Sequence, residues 1–159
     1  MGVTRESYQG AESVLTGLKD FQVQTARYAF RRLFTDPDPT TRFLVADEVG
    51  LGKTLVARGL IAQTIDHLRA SGDKRIDIIY ICSNSAIARQ NVRRIDVTQD
   101  GTLDDPGADR LTMLPTQLES LGTKGINLIP ITPGTSFDLG RNLGRFEERA
   151  LLFSLLQSA

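Results

Sequence analysis

The sequence predicts an α/β fold in three layers, a mostly parallel sheet covered by helices on both faces. Three observations carry that expectation. Short apolar runs alternate with helical segments, the order that builds parallel sheets. A glycine-containing turn ending Gly52-Lys53-Thr54 joins one such run to one such helix. The chain has 159 residues, 40% of them apolar and 24% charged, which suits one compact domain with a sizeable core.

The elements follow in order. Residues 1–17 carry little periodic signal and are expected to form a mobile leader, leaving 18–159 as the domain. From Val23 the apolar positions Val23, Ala26, Phe30, Leu33 and Phe34 recur at helical spacing. Asp36-Pro37-Asp38-Pro39 stops that helix, because proline lacks a donor and restricts the residue before it. Phe43-Leu44-Val45-Ala46 has the length and character of a short buried strand. After the glycine turn a helix is expected from about Lys53 to Ala70, with Val56, Leu60, Ile61, Ile65 and Leu68 on one face and Gly72 capping its end.

Ile76 to Ile81 is rich in β-branched residues and predicts a second strand. A helix over Ala86–Val97 comes next, then an acidic surface loop from Thr98 to Asp109. Short strands are expected at about Arg110–Leu114 and Ile126–Ile131, and a last helix over Glu147–Gln157.

Net charge is zero, with 19 basic and 19 acidic residues, so any affinity for nucleic acid must rest on local groupings. No apolar run approaches the roughly 18 residues of a membrane span, and no membrane partner is expected. The polar start lacks the pattern of a signal peptide. A single cysteine, Cys82, cannot form an internal disulfide, which suits a reducing cytoplasm.

The most informative residues are Asp47-Glu48-Val49-Gly50-Leu51-Gly52-Lys53-Thr54. A strand, a glycine turn, a lysine, a hydroxyl and a helix in that order are the context of a phosphate-binding loop. Glycines let backbone N–H groups close around phosphate oxygens, and the helix N-terminus adds a favourable dipole. Lys53 would reach the β- and γ-phosphates and act in catalysis, while the Thr54 hydroxyl would ligate Mg²⁺ held with the nucleotide. The plain alternative is a turn that caps a helix and leaves Lys53 on the surface. One position departs from G-x-x-x-x-G-K-[ST]: its first glycine falls on Asp47.

That departure has a precedent. The eight residues resemble the D-E-x-G-L-G-K-T form of motif I in the chromatin-remodeller-like branch of superfamily 2 helicases and translocases, where the first glycine is commonly aspartate. Upstream, Phe21-Gln22-Val23-Gln24 stands where that family places a glutamine on the adenine edge; Gln24 is preferred and Gln22 is the alternative. Downstream, Ile78 to Ser85 is similar to motif Ia, which implies that Asn84, Ser85 and Arg89 contact a nucleic-acid backbone. Arg93 and Arg94 add local charge, although an arginine run is commonly a solvated helix face. Thr132-Pro133-Gly134 after a strand resembles motif Ib, and implies backbone contacts by Thr132 and Gly134.

The resemblance spans about Phe21 to Asp138. It implies a RecA-like first domain of an ATP-driven, DNA-directed motor with ATP and Mg²⁺ as cofactors and DNA as partner, RNA not being excluded. In a bacterial cell it would sit on the nucleoid. The family's next motif, an Asp-Glu pair at a strand end, has no match: the one adjacent Asp-Glu is Asp47-Glu48 in the loop itself, and Glu147-Glu148 lies in a predicted helix. A partial domain is therefore expected, with a second RecA-like domain supplied in cis or in trans. By itself the chain should bind ATP and hardly hydrolyse it. A nucleotide-sensing or assembly module without catalysis is the competing reading.

Other residues carry less. His67 has no neighbouring Cys or His and is expected on a helix surface. The aspartates of the 98–109 loop lack calcium-loop spacing.

Overall fold

A computed structural model describes residues 8–98, 125–136 and 146–157. The architecture is mixed: helices α1 (Ala11–Thr16), α2 (Asp20–Phe30), α3 (Lys53–Ala70), α4 (Ser85–Ile95), α5 (Pro133–Ser136) and α6 (Phe146–Gln157) accompany strands β1 (Ile76–Ile81) and β2 (Ile126–Ile131). The strands pair in parallel, in register from Ile76 opposite Ile126 to Ile81 opposite Ile131. Parallel pairing requires a crossover, and α4 supplies part of it.

Helix α3 is the centre of the packing. Its buried stripe is Val56, Gly59, Ala62 and Ile65, narrower than the expected face because Leu60, Ile61 and Leu68 are only partly covered. Small residues in that stripe let the neighbouring helices come close. A Cβ at Gly59 would stand 2.9 Å from a Leu18 methyl, 3.1 Å from one of Leu15 and 3.2 Å from the Ala26 Cβ. Gly72, at φ +95°, ends the helix: its N–H donates to Arg69 O and that of Asp73 to Leu68 O, both at 3.0 Å. These two bonds satisfy carbonyls that the last turn leaves open.

Helices α3 and α4 cover one face of the sheet, where Ile76, Ile78, Tyr80, Ile126 and Leu128 meet Ile65, Ile61, Val92 and Ile95. The opposite face of β1 is open, with Ile79 59% and Ile81 65% exposed. Among the described residues, helices α3 and α4 thus cover one face of β1. On β2 the side away from those helices is buried at Asn127 and Ile129.

Three expectations are corrected. The second half of the 1–17 leader is ordered: α1 buries Ala11, Val14 and Leu15, and the Tyr8 hydroxyl donates to Ala62 O at 2.6 Å. The Ala11 N–H donates to Asp66 Oδ2 at 2.9 Å. The apolar spacing of this segment is too short to register as periodic, yet tertiary packing onto α3 fixes it. Residues 1–7 lie outside the described residues.

Next, Phe43–Ala46 forms no strand. The stretch is extended and alternates in exposure, with Val45 packed against the Leu15–Ala26–Val56 cluster, but its backbone pairs with no other described segment. An apolar run becomes a strand only where another edge meets its N–H and C=O groups. Last, the first long helix starts earlier than its apolar spacing suggests, at Asp20, and its final turn widens to π-helical form over Arg31–Thr35. Asp36 and the prolines end it as expected.

The loop 98–109 past Thr98, the strand at Arg110–Leu114, and Phe137-Asp138 fall outside the described residues. Helix α6 exposes Phe146, Phe153, Leu155 and Leu156. Among the described residues no helix is long and apolar enough to cross a membrane.

Candidate functional site

The turn from Asp47 to Thr54 is shaped by two glycines with positive φ, Gly50 at +92° and Gly52 at +80°. Side chains rarely adopt such backbone, so glycine is required at both positions. Val49 stands at the apex, 98% exposed. The Gly52 carbonyl accepts from Leu55 N–H at 2.7 Å and Val56 N–H at 3.2 Å, which starts α3. Among the described residues no acceptor meets the N–H groups of Gly52, Lys53 or Thr54. Three donors at the positive end of an 18-residue helix form an anion-binding end.

The Lys53 ammonium folds into this turn. Its Nζ donates to the carbonyls of Asp47 at 2.7 Å and Glu48 at 2.9 Å. Leu51 N–H closes toward Glu48 O at 3.5 Å. The eight loop residues therefore surround one cation and one set of free donors, an arrangement that fits a polyphosphate. Among the described residues no group of three or more His, Cys, Asp or Glu side chains is gathered for a metal. Thr54 lies in the first turn of α3, next to Lys53.

Of the two candidate glutamines, the structure brings Gln22 to the loop and leaves Gln24 away from it. Gln22 is 4% exposed; its Nε2 donates to Leu51 O at 3.0 Å and its Oε1 accepts from Lys19 N–H at 3.1 Å. A Cβ on Gly52 would stand 2.6 Å from that Nε2, so Gly52 and Gln22 need each other's shape. Gln24 is exposed on the outer face of α2. Gln24 would suit a helix that opens at Thr25. Because Asp20 opens it, Gln22 becomes the third helical residue, the position that reaches back to the helix start. That spacing was the available signal.

The strand-end turns meet at one edge. Parallel pairing continues past β1, with Cys82 N–H donating to Ile131 O at 3.1 Å, so 82–85 and 132–134 follow neighbouring strands. Ligands of open α/β sheets collect at such carboxyl ends. The details differ from expectation. Asn84 Oδ1 accepts from the N–H groups of Ala86 at 2.9 Å and Ile87 at 3.1 Å, so it caps α4 and occupies donors expected to be free for phosphate. Thr132 is buried, leaving Gly134 as the exposed member of its turn. Ser85, Arg89 and Arg93 are spaced by four along α4, and both arginines are exposed.

Behind this edge, Asn91 Nδ2 donates to the Tyr80 hydroxyl at 2.9 Å, and burial raises that phenol's pKa. Comparison with protein-family models, with curated protein sequences and with solved structures finds no match to this chain.

Proposed function

We propose that the chain is the ATP-binding part of a RecA-like domain in a DNA-dependent ATPase, a helicase or double-strand translocase of the superfamily 2 type. The observation that carries this reading is the turn at the start of α3, where the N–H groups of Gly52, Lys53 and Thr54 meet no acceptor among the described residues and the Lys53 ammonium folds onto the carbonyls of Asp47 and Glu48. Polyphosphate supplies the negative charge that such a turn attracts. In this reading Lys53 leaves the Asp47 and Glu48 carbonyls for phosphate oxygens, Thr54 ligates Mg²⁺, and Gln22 rather than Gln24 is the glutamine of the nucleotide site. The sheet-edge turns with Asn84, Ser85, Arg89 and Gly134 would lie along the DNA backbone.

The test is Mg·ATP affinity in the full-length protein, by calorimetry, for Lys53→Ala against the parent. A charge-assisted hydrogen bond contributes about 1.5–3 kcal/mol, so affinity should fall about 10- to 100-fold. Equal affinity would remove the loop assignment.

A sequence feature favours a second reading, a nucleotide-sensing module. Neither described strand runs into an acidic pair: β1 leads to Cys82-Ser83 and β2 to Thr132-Pro133. Hydrolysis would then need carboxylates from elsewhere, and ATP binding without turnover is the outcome that supports it.

A further inference from the structure

We propose that the outer face of α2 binds one strand of nucleic acid, with Arg27 and Arg31 on consecutive phosphates and Tyr28 as a stacking platform for a base. Gln24, Arg27, Tyr28 and Arg31 recur at helical spacing and line an open hollow of about 320 Å³. This surface shares no residue with the phosphate loop or with the sheet-edge turns, and goes beyond both.

The chemistry of the hollow suits that ligand. Arg27 and Arg31 are one turn apart, about 5–6 Å at the Cβ atoms, close to the separation of neighbouring phosphates along a strand. Both guanidiniums are available. Among the described residues Arg27 is held only by Glu12 at 3.5 Å, with both side chains largely exposed. Arg31 meets Asp36 at 3.4 Å, while the same carboxylate keeps Arg32 at 2.8 Å. Arg31 can therefore leave without stranding a charge, and the exposed Arg27–Glu12 pair holds weakly.

Tyr28 is half exposed and its ring has two described neighbours. Phe43 meets it edge-on at 5.8 Å, and the Arg31 guanidinium lies over it at 5.3 Å. A half-exposed aromatic ring flanked by cations is what single-strand binding uses, since every base has a stacking face. Gln24 offers a carboxamide donor and acceptor to a base edge. The neutral total charge of the chain makes such a local grouping necessary for any strand contact.

The experiment uses the full-length protein and a fluorescein-labelled single-stranded oligothymidylate, with an abasic strand of equal length as the probe for phosphate alone. Tyr28→Leu, which keeps an apolar contact to Phe43, should weaken oligothymidylate binding at least about fivefold and leave the abasic strand unaffected. Replacing both arginines, Arg27→Gln with Arg31→Gln, should weaken both probes and reduce the slope of log affinity against log salt by about 1.4, at about 0.7 per phosphate contact. Parent-like affinity and slope in both variants would overturn the proposal, as would failure of the parent to bind the oligothymidylate at low salt. Loss of Mg·ATP affinity with oligothymidylate binding intact would also overturn it, assigning the hollow to the base of a mononucleotide.

Discussion

The side-chain amide of Gln22 donates to the carbonyl of Leu51 across 3.0 Å and so ties the start of α2 to the turn that precedes α3. The neighbouring Gly52 leaves no room for a Cβ beside that amide. The turn is thus held from behind by a buried side chain and open toward solvent at Val49.

Gly52→Ala is expected to lower stability by about 1–3 kcal/mol, from its positive φ and from the clash with Gln22. Adding Gln22→Ala should remove the clash, so the double variant should lose less than the sum of the single ones. Urea titration of the four proteins measures this. Strict additivity would show that the two residues do not meet.

Asn84 separates two roles. Asn84→Ala loses the cap of α4 and should cost about 0.5–2 kcal/mol of stability. Asn84→Asp keeps a capping oxygen but places a negative charge at the proposed DNA edge, so stability should hold while DNA affinity at low salt falls. Parent-like DNA affinity for Asn84→Asp would remove this turn from the interface.

Much of this was legible in the sequence, and the failures have physical causes. The bounds of α3, β1 and β2 match the expected ones because each is a locally consistent run with clear punctuation, such as Gly52 before α3 and Gly72 after it. The Phe43–Ala46 strand failed because pairing depends on a partner edge, which local sequence does not reveal. Tyr8 to Leu15 escaped notice since its burial depends on Ala62 and Asp66, more than fifty residues away. At the candidate site, the glycine turn before α3 falls where the sequence order puts it, and Gln22 rather than Gln24 meets that turn because α2 starts at Asp20.

Burial, and next to it the charge of Asp66, raises the pKa of the Tyr8 phenol. Below about pH 10 both folded and unfolded chains keep the proton, and the contribution to stability is complete. Above that the unfolded chain ionises first, so stability should fall as pH rises toward the folded value. Tyr8→Phe should cost about 1 kcal/mol at neutral pH through the lost bond to Ala62 and should flatten the alkaline decline. Thermal melts of both proteins at neutral and alkaline pH decide the matter; the same decline in each would show that Tyr8 is not its source.

Gly59→Val should destabilise by about 1–3 kcal/mol, because its side chain would push into Leu15, Leu18 and Ala26. The midpoint of urea unfolding should drop with little change in slope. Parent-like stability would show that α2 and α3 are not in close contact.

That seam of Gly59 against Ala26 has a mechanical consequence. Side chains at most helix contacts act as cushions, and at Gly59 α3 contributes none. Helix α2 is also fastened at its start, by Gln22, to the turn that begins α3. The two helices are therefore joined at two separate points, the glycine seam and the Gln22 amide, and neither can turn about its own axis without disturbing one of them.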